Sequence, residues 1–351
     1  MTEVASGHGG RVDREDGVVR IAVYGAGGIG CYLGGRLAAT GTPVTLVGRQ
    51  RMADEVAAHG LHLTDYLGAD LRVRDVLFET GPSGVADAQL VLVTVKSAAT
   101  ATAADELAGV LKPGAVVVSF QNGIRNADVL RERLRDQVVL SGMVPFNVLN
   151  RGGGTFHQGT SGGLEIQEHA ALTPYVEAFA KAGLPLKQHT DLLPVQWAKL
   201  LLNLNNPINA LSDLPLLDEL SQRSFRRCLA AAQSETLTLL DAAGIKPAQL
   251  LAISPRRFPM LLRLPDFIYQ RVAGKALAID PLARTSMWED LQAGRPTEID
   301  YINGEVVRLA DSLNRPAPIN AKLVALIHTT EHGPHTPWPG PALLQELTQT
   351  S

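Results

Sequence analysis

Between Val18 and about Leu186, short runs of apolar and largely β-branched residues alternate with stretches in which apolar positions recur every three or four residues. The runs are VRIAVYG, TPVTLVG, AQLVLVTVK, GAVVVSFQNG and QVVLSGMVPF. Strands covered by helices on both faces need no polar alternation, so continuous runs of this kind predict the centre of a parallel sheet. The helical stretches between them make this a doubly wound α/β domain. Past AGLPLKQHTDLLPVQ the pattern becomes leucine- and alanine-rich with a 3.6-residue period, broken by prolines, and no comparable strand runs follow. A second, helical domain is therefore expected. The boundary falls near residues 188–194, giving a first domain over 19–190 and a second over 191–351. Residues 1–18 are polar and contain glycine, with no apolar core, and read as a flexible tail.

Length and composition fit this division. A chain of 351 residues with 45% hydrophobic residues can bury two cores. A net charge of -3 gives no bulk attraction to nucleic acid or to an acidic membrane surface, so neither is an expected partner. The longest apolar runs fall far short of the ~18 residues of a membrane span, and no signal peptide is evident. Cys31 and Cys228, the two cysteines, lie in apolar contexts and suggest no disulfide framework, which fits a reducing cytoplasm.

The most specific local signal is Gly25-Ala26-Gly27-Gly28-Ile29-Gly30, a G-x-G-x-x-G hexad directly after a strand and opening a helix. Gly25 permits the tight turn. Gly27 and Gly28 let backbone N–H groups approach a pyrophosphate, and Gly30 lets the helix pack close on the sheet. The second strand ends in VTLVGRQR. A free ribose 2′-hydroxyl usually meets an acid there, but this chain has Gly48 followed by Arg49 and Arg51. Guanidinium groups pair with a 2′-phosphate, so the residues point to NADP(H) rather than NAD(H). The plainer alternative is a pair of solvated arginines.

In VQWAKLLLNLNNPINALSDLP, leucine covers nearly the whole circumference of a predicted helix. Lys199, Asn203 and Asn206, spaced i, i+4 and i+7, form one polar stripe. An unpartnered buried lysine is costly, so the stripe should face a polar cleft, or else be a solvated face. Further on, Pro296, Thr297 and Glu298 can be read as ordinary first-turn residues of a helix. Gln121-Asn122-Gly123 can be read as a turn, although it lies at the carboxyl end of a strand, where open α/β sheets bind ligands. His328 to His332, HTTEH, fits the H-x-x-E-H zinc pattern, but Gly333-Pro334 marks a helix end there and no metal is assigned.

Together these segments resemble the ketopantoate reductase (2-dehydropantoate 2-reductase) family. The matching parts are GAGGIG, the arginine after the second strand, VTVK with Lys96, QNG with Asn122, WAKLLLN with Lys199 and Asn203, and TSMWEDLQAGRPTEIDYINGEV with Ser286, Asp290 and Glu298. They run in the family's order over nearly the whole chain after the tail. The resemblance implies a Rossmann domain followed by an all-helical domain, with NADPH and a small 2-keto acid meeting in the cleft between them. It implies Lys199 as general acid and Glu298 and Asn203 as residues fixing the substrate and the lysine. Ser286 would help hold the substrate carboxylate, and Lys96 and Asn122 would lie against the nicotinamide end of the cofactor. The implied reaction is reduction of 2-dehydropantoate to pantoate, as in pantothenate biosynthesis, by an enzyme that can pair as a homodimer.

Two departures bear on the substrate. The segment between Cys228 and Ser286 is longer than in compact members of the family, and it lies in the substrate-side domain. The spacing in LNNPINAL leaves either Asn206 or Asn209 as the second substrate-side asparagine, with Asn206 favoured by its helical register. Another 2-keto acid reductase, or a non-catalytic NADP(H) sensor that keeps the glycines and arginines, are the alternatives.

Overall fold

All five apolar runs form strands of one sheet in a computed structural model, which describes residues 19–160, 162–273 and 283–349. The expected tail, 1–18, lies outside the described residues. In chain order the strands are β1 (Ile21–Tyr24), β2 (Val44–Val47), β3 (Leu61–Asp65), β4 (Asp70–Val73), β5 (Leu77–Glu79), β6 (Leu90–Val93), β7 (Val116–Ser119), β8 (Val138–Met143), β9 (Val148–Gly152), β10 (Thr155–Gln158), β11 (Leu164–Gln167) and β12 (Leu186–His189). The larger sheet has eight strands in the order β12-β11-β8-β7-β6-β1-β2-β5. From β5 to β8 every pairing is parallel, and β11 joins β8 antiparallel.

Successive side chains of a strand leave opposite faces of the sheet. Ile21, Val23, Leu90 and Leu92 accordingly enter one core cluster, and Ala22, Tyr24, Val91 and Val93 another. Both faces being apolar is why these strands show no alternation. A second sheet, β4-β3-β10-β9, was not expected from the sequence; its strands are short and carry polar residues, as in LHLTD and TFHQ.

The helices of the first domain are α1 (Gly28–Ala38), α2 (Gln50–His59), α3 (Thr100–Ala108), α4 (Asn126–Arg133) and α5 (Val176–Lys181). After β12 the described residues contain helices and no strand: α6 (Leu193–Asn203), α7 (Asn206–Ser212), α8 (Leu216–Ser221), α9 (Arg223–Ala242), α10 (Phe258–Leu262), α11 (Asp266–Ala273), α12 (Ser286–Gln292), α13 (Asn303–Ser312), α14 (Pro318–Glu331) and α15 (Gly340–Thr348). They surround their own core, which includes Trp197, Leu204, Ile208, Leu240 and Ile327. Cys31 and Cys228 are free and buried. Among the described residues no helix is long and apolar enough to cross a membrane.

The sequence reading of one continuous helix through Lys199, Asn203 and Asn206 is corrected here. Helix α6 ends at Asn203, Leu204 and Asn205 form a turn, and α7 begins at Asn206. Pro207 has no N–H for the carbonyl of Asn203, and its ring would collide with that carbonyl in a continuous helix. The stripe of Lys199 and Asn203 therefore stops before Asn206.

Candidate active site

The carboxyl ends of β1, β2, β6, β7 and β8 share one edge of the larger sheet, because these strands are parallel. Gly25 follows β1 with φ +112°, and a Cβ there would lie 2.5 Å from Val95 N, so only glycine lets the turn pass the end of β6. Gly30 is crowded by Gly25 O and Thr94, which explains the close seat of α1. Gly27 and Gly28 differ: the nearest atoms to a Cβ on them would be Gly25 O at 4.0 Å and Val148 O at 3.4 Å. Protein packing does not account for these two glycines, and space is left in front of the helix start. No side chain caps α1 and no acid stands in its first turn, so its first N–H groups and its dipole are available to an anion. These residues fit a dinucleotide pyrophosphate.

Gly48, after β2, packs against the hexad; a Cβ there would lie 2.8 Å from that of Ala26. Arg49 follows it, exposed and without an ion pair among the described residues, beside the hexad. Arg51 is also exposed, with Glu55 3.7 Å from its guanidinium.

The helical domain sends acidic side chains to the ends of β6 and β7. Glu298 is 6% exposed and precedes a single 3₁₀ turn, Ile299–Tyr301, which its side chain does not cap. Instead its Oε1 accepts hydrogen bonds from Ser97 N at 2.9 Å and Ser97 Oγ at 2.8 Å, and its Oε2 accepts one from Asn122 Nδ2 at 3.0 Å. The first-turn reading of Glu298 thus gives way to a contact between domains. Lys96 Nζ donates to Asp290 Oδ2 at 2.8 Å and stands 3.8 Å from Glu298 Oε2. Burial works against the charge on Lys96, but the Glu298 and Asp290 carboxylates outweigh it and raise its pKa. Asp290 is 2% exposed and is also bonded by Arg295 Nε at 3.1 Å.

Lys199 reaches the end of β8, where its Nζ donates to Pro145 O at 2.9 Å. Burial of the ammonium lowers its pKa to about 8. Asn203 lies one turn along on the same face of α6, partly exposed, and its side chain makes no hydrogen bond among the described residues. On the opposite flank of α6, Ala198, Leu201 and Leu202 line a largely apolar recess together with Leu250, Ile253 and Phe258, from the long segment between Cys228 and Ser286. No hydrogen bond joins Lys199 to Glu298 among the described residues. Their anchors, Pro145 and Asn122, follow adjacent strands, whose spacing is about 4.8 Å.

The other expected residues are arranged differently. Ser286 is the exposed first residue of α12, and the preceding Thr285 is the cap, its Oγ1 accepting from Trp288 N. Asn206 is buried at the start of α7, and its backbone carbonyl accepts from Thr285 Oγ1 at 3.4 Å. Asn209 is wholly buried, with its side chain bonded to Thr285 N, Leu214 O and Glu219. His328 bonds Glu331 and Asp300, and among the described residues no group of three or more His, Cys, Asp or Glu side chains is arranged to hold a metal. Sequence reasoning assigned no role to Ser97 or Pro145. The signal available was their position just past the carboxyl ends of β6 and β8.

The chain matches the sequence profile of Ketopantoate reductase PanE/ApbA over residues 21–171 and that of Ketopantoate reductase PanE/ApbA C terminal over 191–331. It is 30% identical over 323 residues to the 2-dehydropantoate 2-reductase of Halobacterium salinarum, covering 89% of this chain and 99% of the relative. The crystal structure of a PanE/ApbA family ketopantoate reductase from Ralstonia eutropha is similar with a TM-score of 0.77 and 31% identity, over 90% of this chain and 99% of that one. D-mandelate dehydrogenase, solved with NADH and anilino(oxo)acetate, shares the fold with a TM-score of 0.74 at 19% identity, over 90% of this chain and 99% of its own.

Proposed function

The chain belongs to the ketopantoate reductase family and is an oxidoreductase dependent on a nicotinamide dinucleotide, and we propose that it uses NADPH to reduce 2-dehydropantoate to pantoate. The observation that carries this reading is the pair of groups the helical domain extends to adjoining strand ends, on the same sheet edge as the glycine hexad: the Lys199 ammonium at Pro145 and the Glu298 carboxylate at Asn122.

When bound, NADPH supplies the hydride. Negative charge then develops on the former keto oxygen, and Lys199 is the acid that protonates it, its pKa of about 8 leaving it charged yet a ready donor near neutral pH. Asn203, on the same face one turn away, orients the substrate beside that ammonium. Glu298 accepts a hydrogen bond from the far end of the substrate, with Ser97 and Asn122 fixing its carboxylate. Lys96 balances the charges of Glu298 and Asp290 at the nicotinamide end. Ser286, exposed at the start of α12, completes the substrate side. Arg49, with Arg51 near it, recognises the 2′-phosphate, a choice supported by Gly48 and Arg49, rather than an acid, directly after β2.

The test is a purified-protein assay of NADPH and NADH oxidation with 2-dehydropantoate and a panel of other 2-keto acids. At least tenfold higher kcat/KM for 2-dehydropantoate and for NADPH is expected. Preference for another keto acid would reassign the substrate within the family, and no turnover with any would leave a cofactor-binding protein.

A further inference from the structure

Glu219 is a wholly buried carboxyl that the proposed reaction does not use. It lies on α8, in the segment LLDELS, where its partners come from two other parts of the helical domain. Its Oε2 accepts from Asn205 Nδ2 at 3.2 Å, in the turn that ends α6, and from Asn209 Nδ2 at 2.8 Å, on α7. Asn209 passes the connection on. Its Oδ1 accepts from Thr285 N at 3.0 Å, the cap of α12. Helix α12 carries Ser286 and Asp290, and Asp290 meets Lys96 at 2.8 Å. Asn205 follows Asn203 by two residues and Lys199 by six. One buried side chain thus stands between the two helix ends that carry the proposed substrate side of the cleft.

We propose that Glu219 is a positioning residue for the reduction, holding the end of α6 and the start of α12 in register on the helical-domain side of the cleft; the inference rests on the proposed function for its kinetic meaning. Two buried atoms show how the grip is closed. Glu219 Oε1 and Asn205 Oδ1 both lack a hydrogen-bond partner, although their side chains are already joined through Oε2 and Nδ2. Both are acceptors when the carboxyl is ionised, so neither satisfies the other. A proton on Oε1 supplies the missing donor and turns the pair into a two-bond ring of carboxylic acid and amide. Burial favours the same protonated form, pushing the Glu219 pKa up to about 8. The neutral acid then makes its bonds without an uncompensated buried charge.

The test compares wild type, Glu219→Gln and Glu219→Leu in the full chain. Glutamine mimics the neutral acid: its amide donates to Asn205 Oδ1 and its oxygen accepts from Asn209. It is expected to keep kcat/KM within about threefold of wild type. Leucine fills the space and makes no bond. It is expected to raise KM for 2-dehydropantoate at least tenfold, leave the NADPH Kd within twofold, and speed amide hydrogen exchange in 203–209 and 283–290 while the Rossmann domain keeps its protection. Should Glu219→Leu not fold, Asn205→Ala breaks the same ring and carries the same expectations. A folded leucine or Asn205→Ala variant with unchanged KM and exchange, or a glutamine variant as impaired as leucine, overturns the proposal. Wild-type turnover tests the substrate on its own. The exchange pattern reads the positioning whichever keto acid proves to be reduced.

Discussion

Ser97 Oγ and Glu298 Oε1 lie 2.8 Å apart although 201 residues separate them in the chain. Through this pair the loop after β6 and the segment before α13 are joined, and the mouth of the cleft is set by a bond between the two domains. The Ser97 N–H donates to the same oxygen, so the carboxylate cannot shift without stranding two donors.

Glu298→Ala is expected to lower kcat/KM for the keto acid by about 10² or more, because substrate anchoring and domain alignment are lost together. Its NADPH Kd, measured by fluorescence titration, should stay near wild type, since the hexad and Arg49 are untouched. The Tm should fall as well, because Ser97 and Asn122 lose their acceptor at a cost of about 1–3 kcal/mol. Unchanged kinetics would return Glu298 to a structural role.

Arg49→Ala should raise KM for NADPH at least tenfold more than KM for NADH. Arg51→Ala should do less, since Arg51 is mostly exposed and turned toward Glu55. Steady-state kinetics with both cofactors distinguish the two arginines. Equal effects on NADPH and NADH would remove Arg49 from 2′-phosphate recognition.

Stability should depend on pH through Glu219. Burial raises its pKa from 4.5 to about 8, with the Asn209 and Asn205 amides opposing only in part. Between those values the folded state keeps a proton that the unfolded chain releases, so stability falls as pH rises from about 4.5 to about 8. Lys199 acts in a separate window. Its pKa is lowered from 10.5 to about 8, so it contributes a rise in stability only above pH 8. Melting curves of wild type and Glu219→Gln across pH 5–8 should diverge, with the glutamine variant showing the flatter profile. Parallel profiles would mean that Glu219 does not titrate in this range.

How much of this was legible in the chain depended on how local the cause was. The five central strands and the hexad were readable because continuous apolar runs and a strand–glycine–helix order are written in adjacent residues. The second sheet was not, because β3 and β10 are short, partly polar and paired across 93 residues. Pro207 held the signal for the break after α6, outweighed in the reading by the leucine pattern around it. Lys199 stood out as a charge on an apolar helix. Glu219, in LLDELS, has no local mark of burial in its neighbouring residues; the packing of α7, α8 and α12 is what encloses it.

Lys199 as the acid is read out by the pH dependence of kcat for wild type and Lys199→Ala, with NADPH titration and melting of both proteins alongside. Protonated lysine is the active form, so wild-type kcat should hold below pH 8 and fall as pH rises through about 8. Lys199→Ala should lose about 10² to 10⁴ in kcat, bind NADPH normally, melt close to wild type and lack that fall. A folded, NADPH-binding Lys199→Ala variant that turns over within a few-fold of wild type would contradict the mechanism.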